Sequence, residues 1–176
     1  MSSSPPPALV TIPRVRSARL LLREPRLADF EAAAHNDVDP AARQFMGGAV
    51  DRRESFRRFL LGAGGWVVQG MGWWTIEAEG GEPVGTVGVF RRESRPDLEM
   101  GWMIHQAHWG KGYAPEAGRA ALEHAFRNYG VDRVIAFIAK GNAPSIRVAE
   151  KLGMRCLGEA DFYGEVDWLY EARASG

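Results

Sequence analysis

Residues 98–114 read L-E-M-G-W-M-I-H-Q-A-H-W-G-K-G-Y-A. The apolar run at 98–104 predicts a strand, and the apolar spacing over 115–129 predicts an amphipathic helix. Gly110 and Gly112 lie in the loop between the two. A strand, a glycine-bearing loop and a helix start present free backbone N–H groups and the positive end of the helix dipole to whatever lies in the loop. This stretch therefore predicts an anion-binding site, and we expect its ligand to carry a phosphate.

Two common phosphate-binding motifs do not fit this loop. The dinucleotide fingerprint needs a third glycine where Pro115 stands. The nucleotide P-loop needs four residues between its first glycine and a Gly-Lys pair, followed by Ser or Thr, whereas Gly110 follows Trp109 and Gly112 follows Lys111. Lys111 still brings a positive charge close to the expected anion.

The composition narrows the class of protein. The chain has 176 residues, 45% of them hydrophobic and 25% charged, which predicts one folded domain. Lys plus Arg and Asp plus Glu both number 22, so no bulk positive field favours nucleic acid or anionic lipid as a partner. One cysteine, Cys156, and four histidines leave few ligands for a structural zinc ion. We expect a metal-free, cytoplasmic protein.

The ends and the apolar runs predict a single domain outside the membrane. The serine- and proline-rich start lacks the basic and apolar parts of a secretory signal. Residues 1–13 are therefore predicted to be a disordered tail and residues 14–176 one domain. The best apolar run, 134–139, is far shorter than the roughly 20 residues that a membrane helix needs.

Outside the central stretch, short strands alternate with helices. Pattern and turn residues predict strands at 20–22, 73–77, 83–90, 134–138, 155–163 and 165–171, and helices at 27–34, from 51 onward and at 142–153. In the helix from residue 51, Phe56, Phe59 and Leu60 are predicted to share the buried face. The fold class predicted from the pattern is a mixed α+β sheet.

The loop resembles one family closely. Residues 109–114, W-G-K-G-Y-A, resemble the Q/R-x-x-G-x-G/A acyl-CoA pyrophosphate loop of GNAT-fold N-acetyltransferases. Trp109 in place of Gln or Arg, with Glu116 and Ala117 following, is similar to the ribosomal-protein alanine N-acetyltransferase branch. Blocks at 17–23, 84–88 and 142–154 agree with the family in order and spacing, so the resemblance spans roughly residues 17–171.

The resemblance implies a fold and a co-substrate. The implied GNAT fold has a central, mixed and mostly antiparallel sheet with a splayed pair of parallel strands and about four flanking helices. Acetyl-CoA is the implied co-substrate, with no metal. Its pantetheine arm would bind backbone groups of three strand residues and Asn142, and its pyrophosphate would lie on the glycine loop. The implied cofactor-binding residues are Trp102, Met103, Ile104, Trp109, Gly110, Lys111, Gly112, Tyr113, Ala114 and Asn142.

The resemblance also implies a reaction, which is direct attack of a primary amine on the acetyl thioester. The amine belongs to a protein N-terminus or to a small molecule. Glu99 is the predicted base, because it lies on the strand of the proposed thioester site. A backbone N–H near Met103 or Ile104 is the candidate oxyanion donor. Many family members protonate the thiolate with a Tyr where this chain has Ala149, so Ser145 is the predicted replacement.

Several alternatives stay open from the sequence alone. Tyr163 or Tyr170 is the fallback for protonating the thiolate. A non-catalytic acyl-CoA-binding module is the competing function, and both a monomer and a homodimer are compatible with the sequence. Acceptor specificity is expected in the loop at 45–48 and the hairpin at 161–167, with Tyr163 and Asp167 as its candidate residues.

Three other groups of residues are predicted to have no catalytic role. His105 and His108 are predicted to be surface residues rather than metal ligands, because no third ligand lies nearby. Cys156 is predicted to be a packed thiol. The arginines at 52, 53, 57 and 58 are predicted to form a solvated helix face.

Overall fold

The structure is a computed structural model that describes residues 10–93 and 95–174. The eight strands are β1 (Val15–Arg16), β2 (Leu20–Arg23), β3 (Trp73–Ala78), β4 (Pro83–Arg91), β5 (Leu98–Ile104), β6 (Arg133–Ile138), β7 (Arg155–Phe162) and β8 (Glu165–Arg173). The α-helices of this region are α1 (Phe30–Asp37), α2 (Pro40–Arg43), α3 (Arg52–Gln69), α4 (Tyr113–Asn128) and α5 (Ala143–Lys151). Short 3-10 helices at Leu27–Asp29 and Gln106–His108 precede α1 and the glycine loop.

All eight strands form one sheet in the order β1-β2-β3-β4-β5-β6-β8-β7. Every neighbouring pair is antiparallel except β5 and β6, which are parallel. The parallel ladder is short, because only Leu98 and Glu99 of β5 pair with β6, whereas β5 pairs with β4 along its whole length. The two parallel strands therefore separate after Glu99. The predicted GNAT fold, with its splayed parallel pair, is confirmed.

The sheet has a different cover on each face. Alternation along β5 places Leu98 and Met100 in the main core together with the alanines of α4. Met103 points to the other face, where its sulfur accepts a hydrogen bond from Asn36 Nδ2 of α1 at 3.5 Å. Glu99 and Gly101 alternate onto that same face. One strand thus supplies side chains to two separate environments.

Helix α3 begins where predicted, and its predicted apolar face is partly buried. It runs 18 residues, past Gly62, Gly64 and Gly65, and its C-cap is Gly70 with a left-handed φ of 69°. Phe56 and Phe59 pack against Phe30, but Leu60 is 51% exposed, and the buried residues of the helix are Ser55 and Trp66. Gly65 allows the close approach of the next segment, because a Cβ there would lie 2.9 Å from the carbonyl oxygen of Met71.

The N-terminal boundary lies earlier than predicted. Residues 1–9 of the predicted tail lie outside the described residues, as does Ser94 in the turn before β5. Ile12 packs against the core, and Trp74 Nε1 donates a hydrogen bond to the carbonyl oxygen of Pro13 at 2.8 Å. The packed domain therefore includes residues 12 and 13. None of the helices described here is long and apolar enough to span a membrane.

Candidate active site

A cleft of about 520 Å³ opens where β5 leaves β6. We call it the glycine-loop cleft. It is lined by Ala41, Ala42, Gln44, Phe45, Met46, Trp102, Met103, Ile104, His108, Trp109, Gly110, Gly112, Tyr113, Ala114, Pro115, Asn142, Pro144, Ser145, Arg147, Val148 and Lys151. All the predicted cofactor-binding residues except Lys111 meet in this cleft, together with Ser145.

The glycine loop has the backbone shape that its sequence predicts. Gly110 and Gly112 have φ values of 76° and 77°, in the left-handed region that favours glycine. Gly112 is the N-cap of α4, and no side chain caps the helix there. The first N–H groups of α4 are therefore available to a ligand in the cleft, where the helix dipole also favours negative charge.

A polar contact beneath the loop fixes its position, which the sequence did not reveal. Arg19 Nη1 donates to the carbonyl oxygen of Lys111 at 3.0 Å. Glu116 of α4 accepts from Ser17 Oγ at 2.7 Å and from the backbone N–H and Nε of Arg19 at 2.8 and 2.7 Å. Burial raises the pKa of Glu116, but these hydrogen bonds and the charge of Arg19 together lower it by more. The pKa of Glu116 is therefore below its ordinary value. The β1–β2 turn thus holds the loop against the start of α4.

The strand side of the cleft offers unpaired backbone. Beyond Glu99, the edge of β5 that faces β6 has no strand partner. Trp109 Nε1 donates to the carbonyl oxygen of Ile104 at 2.7 Å and so satisfies one of the groups near this edge. The remaining groups along Trp102 and Met103 can bind an extended amide-bearing chain, as an added strand would.

The acidic and basic side chains that line the glycine-loop cleft are all basic. Arg147 and Lys151 of α5 line it, and no Asp or Glu stands among the described lining residues. Sequence reasoning missed both cations, although their spacing of four residues in a helix places them on one face. A cleft with cations, a helix start and no carboxylate in its lining is suited to a multiply charged anion.

The start of α5 brings two predicted residues together. Asn142 is the N-cap, and its Oδ1 accepts a hydrogen bond from the backbone N–H of Ser145 at 3.2 Å. Ser145 is half-buried and lines the cleft. Ala149, one turn further, is fully buried in the core. No hydroxyl can reach the cleft from position 149.

Lys111 and the two histidines differ from their predictions. Lys111 lies outside the lining, and its Nζ is 3.2 Å from His108 Nδ1. His108 Nε2 lies 3.3 Å from a carboxylate oxygen of Glu82. His105 and His108 are only 8% and 9% exposed, so the prediction of surface histidines was wrong. Their loop is covered because the backbone N–H of His105 binds the carbonyl oxygen of Val84 and pulls the chain onto β4.

The predicted base, Glu99, does not line the glycine-loop cleft. It is 5% exposed, and its two oxygens accept hydrogen bonds from Arg92 Nε and Nη2 at 2.6 and 2.8 Å. Both oxygens of the Glu99 carboxylate are therefore engaged by a guanidinium. The role of Glu99 in catalysis stays a prediction, to which the geometry adds a second possibility.

A second cavity, of about 700 Å³, lies on the α1–α3 face of the sheet. We call it the Trp73 cavity. Its lining includes aromatic side chains (Phe59, Trp73, Phe90, Trp102 and Tyr163) and charged ones (Asp37, Arg43, Arg58, Arg91, Arg92 and Glu93). Met46, Trp102 and Met103 line both cavities, so the two meet across the splayed part of β5.

Two glycines allow Trp73 to lie flat on the sheet. A Cβ on Gly88 of β4 would come within 2.7 Å of the Trp73 ring, and one on Gly101 of β5 within 2.6 Å. The ring also stacks on Phe90, with centroids 5.3 Å apart. Trp73 therefore forms an aromatic floor for the cavity. Trp73 is half-buried, whereas its neighbour Trp74 is fully buried in the core.

The remaining predicted residues are divided between the site and the rest of the fold. Tyr163 is 63% exposed and lines the Trp73 cavity, whereas Tyr170 is buried in the core, and burial raises its pKa. Asp167 is 8% exposed, and burial, followed by the charge of Glu165, raises its pKa. Cys156 is exposed, so the prediction of a packed thiol was wrong.

The arginines of α3 are paired with neighbouring carboxylates. Arg52 pairs with Glu31, while Arg57 and Arg58 pair with Glu54, and of these three only Arg58 lines a cavity. Among residues 10–93 and 95–174, no cluster of three or more His, Cys, Asp or Glu is placed to hold a metal ion.

Comparisons with known proteins agree on one acetyltransferase family. The model of the family described as "Acetyltransferase (GNAT) domain" matches residues 19–155. The protein YkkB of Bacillus subtilis, described as uncharacterized, is 34% identical over 119 residues, which cover 66% of this chain and 69% of that protein. The uncharacterized N-acetyltransferase YnaD of the same organism is 28% identical over 141 residues, covering 80% and 82% of the two chains.

Solved structures match over nearly the whole chain. The crystal structure of an acetyltransferase from Agrobacterium tumefaciens is 28% identical, with a TM-score of 0.85, and the match covers 97% of this chain and 100% of that one. The glycine-loop cleft lies within the residues matched by the family.

Proposed function

Because the chain belongs to the GNAT acetyltransferase family, we propose that it transfers the acetyl group of acetyl-CoA to a primary amine. The observation that carries this proposal is the glycine-loop cleft, with its two left-handed glycines, uncapped helix start and unopposed cations. The family has CoA-binding members with the same fold. The aminoglycoside acetyltransferase AAC(6')-Ib, 16% identical with a TM-score of 0.74, was solved with coenzyme A.

The residues present fit acetyl-CoA along the cleft. Its pyrophosphate would accept hydrogen bonds from the backbone between Gly110 and Ala114, where a negative group is favoured. The amide groups of its pantetheine arm match the unpaired β5 backbone at Trp102 and Met103, with Asn142 on the opposite wall. Arg147 and Lys151 supply positive charge at the outer end. When bound, the co-substrate supplies an activated thioester carbonyl.

The acceptor would reach the thioester from the Trp73 cavity. The two cavities share Met46, Trp102 and Met103, so an amine on one side of β5 can meet a carbonyl on the other. A nitrogen–carbon bond forms, the carbon–sulfur bond breaks, and one proton leaves the amine. A backbone N–H near Met103 or Ile104 would stabilise the oxyanion. The residue that takes the amine proton is either Glu99 or a group acting through water.

Ser145 is the proposed proton source for the departing thiolate. Its backbone is fixed by Asn142, and its side chain belongs to the cleft lining, whereas Ala149 offers no hydroxyl. If this role is right, Ser145→Ala lowers kcat by about a hundredfold, which is the usual size of a general acid contribution, and leaves the Kd for acetyl-CoA unchanged. Equal losses in kcat and affinity would instead indicate a purely structural residue.

The test is amine-dependent release of CoA thiol. Acetyl-CoA binding is measured by calorimetry, and transfer is followed by free thiol across peptides with varied N-termini and small amines. Amine-dependent release with acetylated product supports the enzyme. Tight binding without release on any amine would favour the alternative, a non-catalytic acyl-CoA-binding module, which the Arg92-bound Glu99 and the missing Tyr at position 149 already suggest. Absence of binding would overturn both.

The peptide arm of that panel also tests the branch. A putative ribosomal-protein-serine acetyltransferase from Vibrio cholerae shares the fold at 18% identity, with a TM-score of 0.76. Acetylation of peptide N-termini in preference to small amines would support a ribosomal-protein type of acceptor, and the reverse preference would count against it.

A further inference from the structure

The charges that line the Trp73 cavity are mostly positive. Four guanidinium groups line it, those of Arg43, Arg58, Arg91 and Arg92, against the two carboxylates of Asp37 and Glu93. Glu54 and Glu99, which pair with Arg58 and Arg92, lie outside the lining, so the groups that an acceptor meets at the cavity wall are mainly guanidinium groups. Such a wall attracts a negatively charged group on the acceptor and offers little to acceptors that carry several positive charges.

Three of the four arginines donate hydrogen bonds to neighbouring parts of the fold. Arg43 is 6% exposed, and it donates to Asp37 Oδ1 at 3.3 Å and to the carbonyl oxygen of Met46 at 2.7 Å. Arg58 donates to Glu54 at 2.8 Å. Arg91 is exposed and donates to the carbonyl oxygen of Pro96 at 2.9 Å. These three hold loops or helix turns in place.

Arg92 has the geometry of an anion anchor. Glu99 accepts from Nε and Nη2, which leaves the hydrogens of Nη1 and the second hydrogen of Nη2 on the other edge of the guanidinium. Phe90 and Phe162 lie 5.1 Å and Tyr163 lies 5.7 Å from its Cζ. The side chain is 33% exposed, so the group is fixed in orientation but reachable. A planar carboxylate fits such an edge bidentately.

The distance along the strand sets the size of the acceptor. Glu99 lies four residues before Met103 on the same face of β5, which corresponds to about 13 Å between their Cα atoms. Between them, on that face, lies the aromatic floor of Trp73 over Gly101. An acceptor that spans this path would have its amine near Met103, an apolar or aromatic group on Trp73 and a carboxylate at Arg92.

We infer that the acceptor is a carboxylate-bearing primary amine with an apolar or aromatic group, of the size of a short peptide, and that Arg92 binds its carboxylate. This inference rests on the proposed acetyl transfer and names its substrate class. Glu99 is then a positioning residue, which acts by orienting Arg92. Polycationic amines are disfavoured by the same charges.

The test measures acceptor binding separately from chemistry. The protein is saturated with CoA, which has no acetyl group to transfer, and titrated by calorimetry with di- and tripeptides that carry a Phe side chain, each as the free acid and as the C-terminal amide, and with spermidine. We expect the acid to bind at least about tenfold more tightly than the amide, since hydrogen bonds to charged groups are the strong ones. Spermidine is expected to bind more weakly than either.

The variants assign that preference to Arg92. In Arg92→Gln the preference for the acid should fall to within about twofold. Because this change leaves Glu99 buried without its partner, the double variant Arg92→Gln/Glu99→Gln is measured too, since it removes both charges. Arg53→Gln, on an exposed arginine outside both cavities, is the charge-matched control and should keep the full preference.

The outcomes separate the two proposals. Equal binding of acid and amide by the wild-type protein, or a preference that survives both Arg92 variants, would overturn the assignment of the acceptor class. A clear acid preference with no release of CoA from acetyl-CoA by any peptide would instead refute the proposed transfer.

The role of Glu99 is tested by a pH profile and a rescue. If Glu99 acts by orienting Arg92, Glu99→Ala should lose most of the preference for the free-acid peptide over its amide. Glu99→Gln, which keeps an oxygen for Arg92, should restore that preference. Both variants should retain the acidic limb of the kcat profile measured with an amide acceptor. Loss of that limb in both variants would show that Glu99 is the base and would refute the positioning role.

Discussion

The two cavities that meet across β5 are built in different ways. The glycine-loop cleft is lined by three short segments of the chain, 41–46, 102–115 and 142–151, and its anion site is the backbone of the glycine loop. The Trp73 cavity is lined by residues from α1, α2, α3, β3, β4, β5 and the turns after β4 and β7. The first is suited to a ligand whose shape does not vary, and the second to one that differs between relatives.

This difference explains what a sequence can reveal about each cavity. Backbone geometry that depends on glycine and on a helix start is local, so a short motif indicates it. A cavity assembled from many elements depends on the register of a sheet, which no short stretch contains. Changes at the first cavity should therefore affect affinity for the co-substrate, and changes at the second the selection of the acceptor.

The largest expected effect comes from Gly112→Val in the glycine loop. A side chain at φ 77° strains the loop, and the new Cβ would stand 3.5 Å from Arg19 Nη2, beside the N–H groups that face the cleft. We expect the affinity for acetyl-CoA, measured by calorimetry, to fall by about a hundredfold through loss of charge-assisted hydrogen bonds.

Gly130→Val is the matched control for that change. Gly130 follows the same helix α4, at φ 64°, with open space around its Cβ position and outside both cavities. It carries the same type of backbone strain and should leave the affinity unchanged. Similar losses in the two variants would mean that strain alone, rather than the loop, controls binding.

A smaller effect is expected from the cations of the glycine-loop cleft. Arg147→Gln combined with Lys151→Gln removes the two charges of α5 that line it. Exposed charge pairs contribute little individually, so we expect a loss of about tenfold in acetyl-CoA affinity. The dependence of that affinity on salt should also become weaker than in the wild type. An unchanged salt dependence would contradict an electrostatic role for these side chains.

Gly101→Ala should affect the Trp73 cavity and leave the glycine-loop cleft unchanged. The added methyl would lie 2.6 Å from Trp73 Cη2, so the ring must move off the sheet. Overpacking of this kind destabilises by about 1–3 kcal/mol, which thermal unfolding measures. We expect the KM for the acceptor to rise several-fold and the Kd for acetyl-CoA to stay constant.

The helical Gly64, whose Cβ position is open, provides the control for this prediction. Gly64→Ala should leave both constants and the ring unaffected. A parallel loss of acetyl-CoA affinity in Gly101→Ala would show that the two cavities are not independent.

The smallest effect is on stability and depends on pH. Burial lowers the pKa of His105 below its ordinary value of 6.5; a hydrogen bond to the backbone of Pro83 opposes this in part, and the nearby His108 adds a smaller lowering. Its Nε2 is buried without a hydrogen-bond partner. As the pH falls below 6.5, the unfolded chain takes up a proton that the folded chain resists, so stability is lost.

Urea unfolding at about pH 7.5 and about pH 5.5 measures that loss. His105→Gln removes the titrating group and should reduce the difference between the two midpoints. Carboxylates with lowered pKa, such as Glu116, lose their contribution only at more acidic pH, below their ordinary value of 4.5. An unchanged difference in His105→Gln would exclude this histidine as the cause.

Much of the fold was predictable because its strongest signals are local. The strand at 98–104, the alternation in β3 and β4, and the alanine stripe of α4 each follow from a pattern of a few residues. The start of α4 at Tyr113, two residues earlier than predicted, shows the limit of this reasoning. Pro115 marks a first turn but does not identify which of its positions it occupies.

The predictions that failed depended on contacts distant in the chain. The burial of His108 depends on the hydrogen bond that holds its loop against β4 at Val84, and α3 buries Trp66 because that ring packs on Trp74. Likewise, the partner of Glu99 is Arg92, which lies on the far side of the turn between β4 and β5 and carries no local signal of a site residue. Pairings of this kind become visible only when the sheet register is known.

The flat position of Trp73 has a consequence for the evolution of this protein. Its ring occupies the space that side chains would take at positions 88 and 101, so these three positions constrain one another. A homologue with a larger residue at either glycine is expected to carry a smaller one in place of the tryptophan. Substitution patterns across relatives should therefore show these three sites changing together, and acceptor preference changing with them.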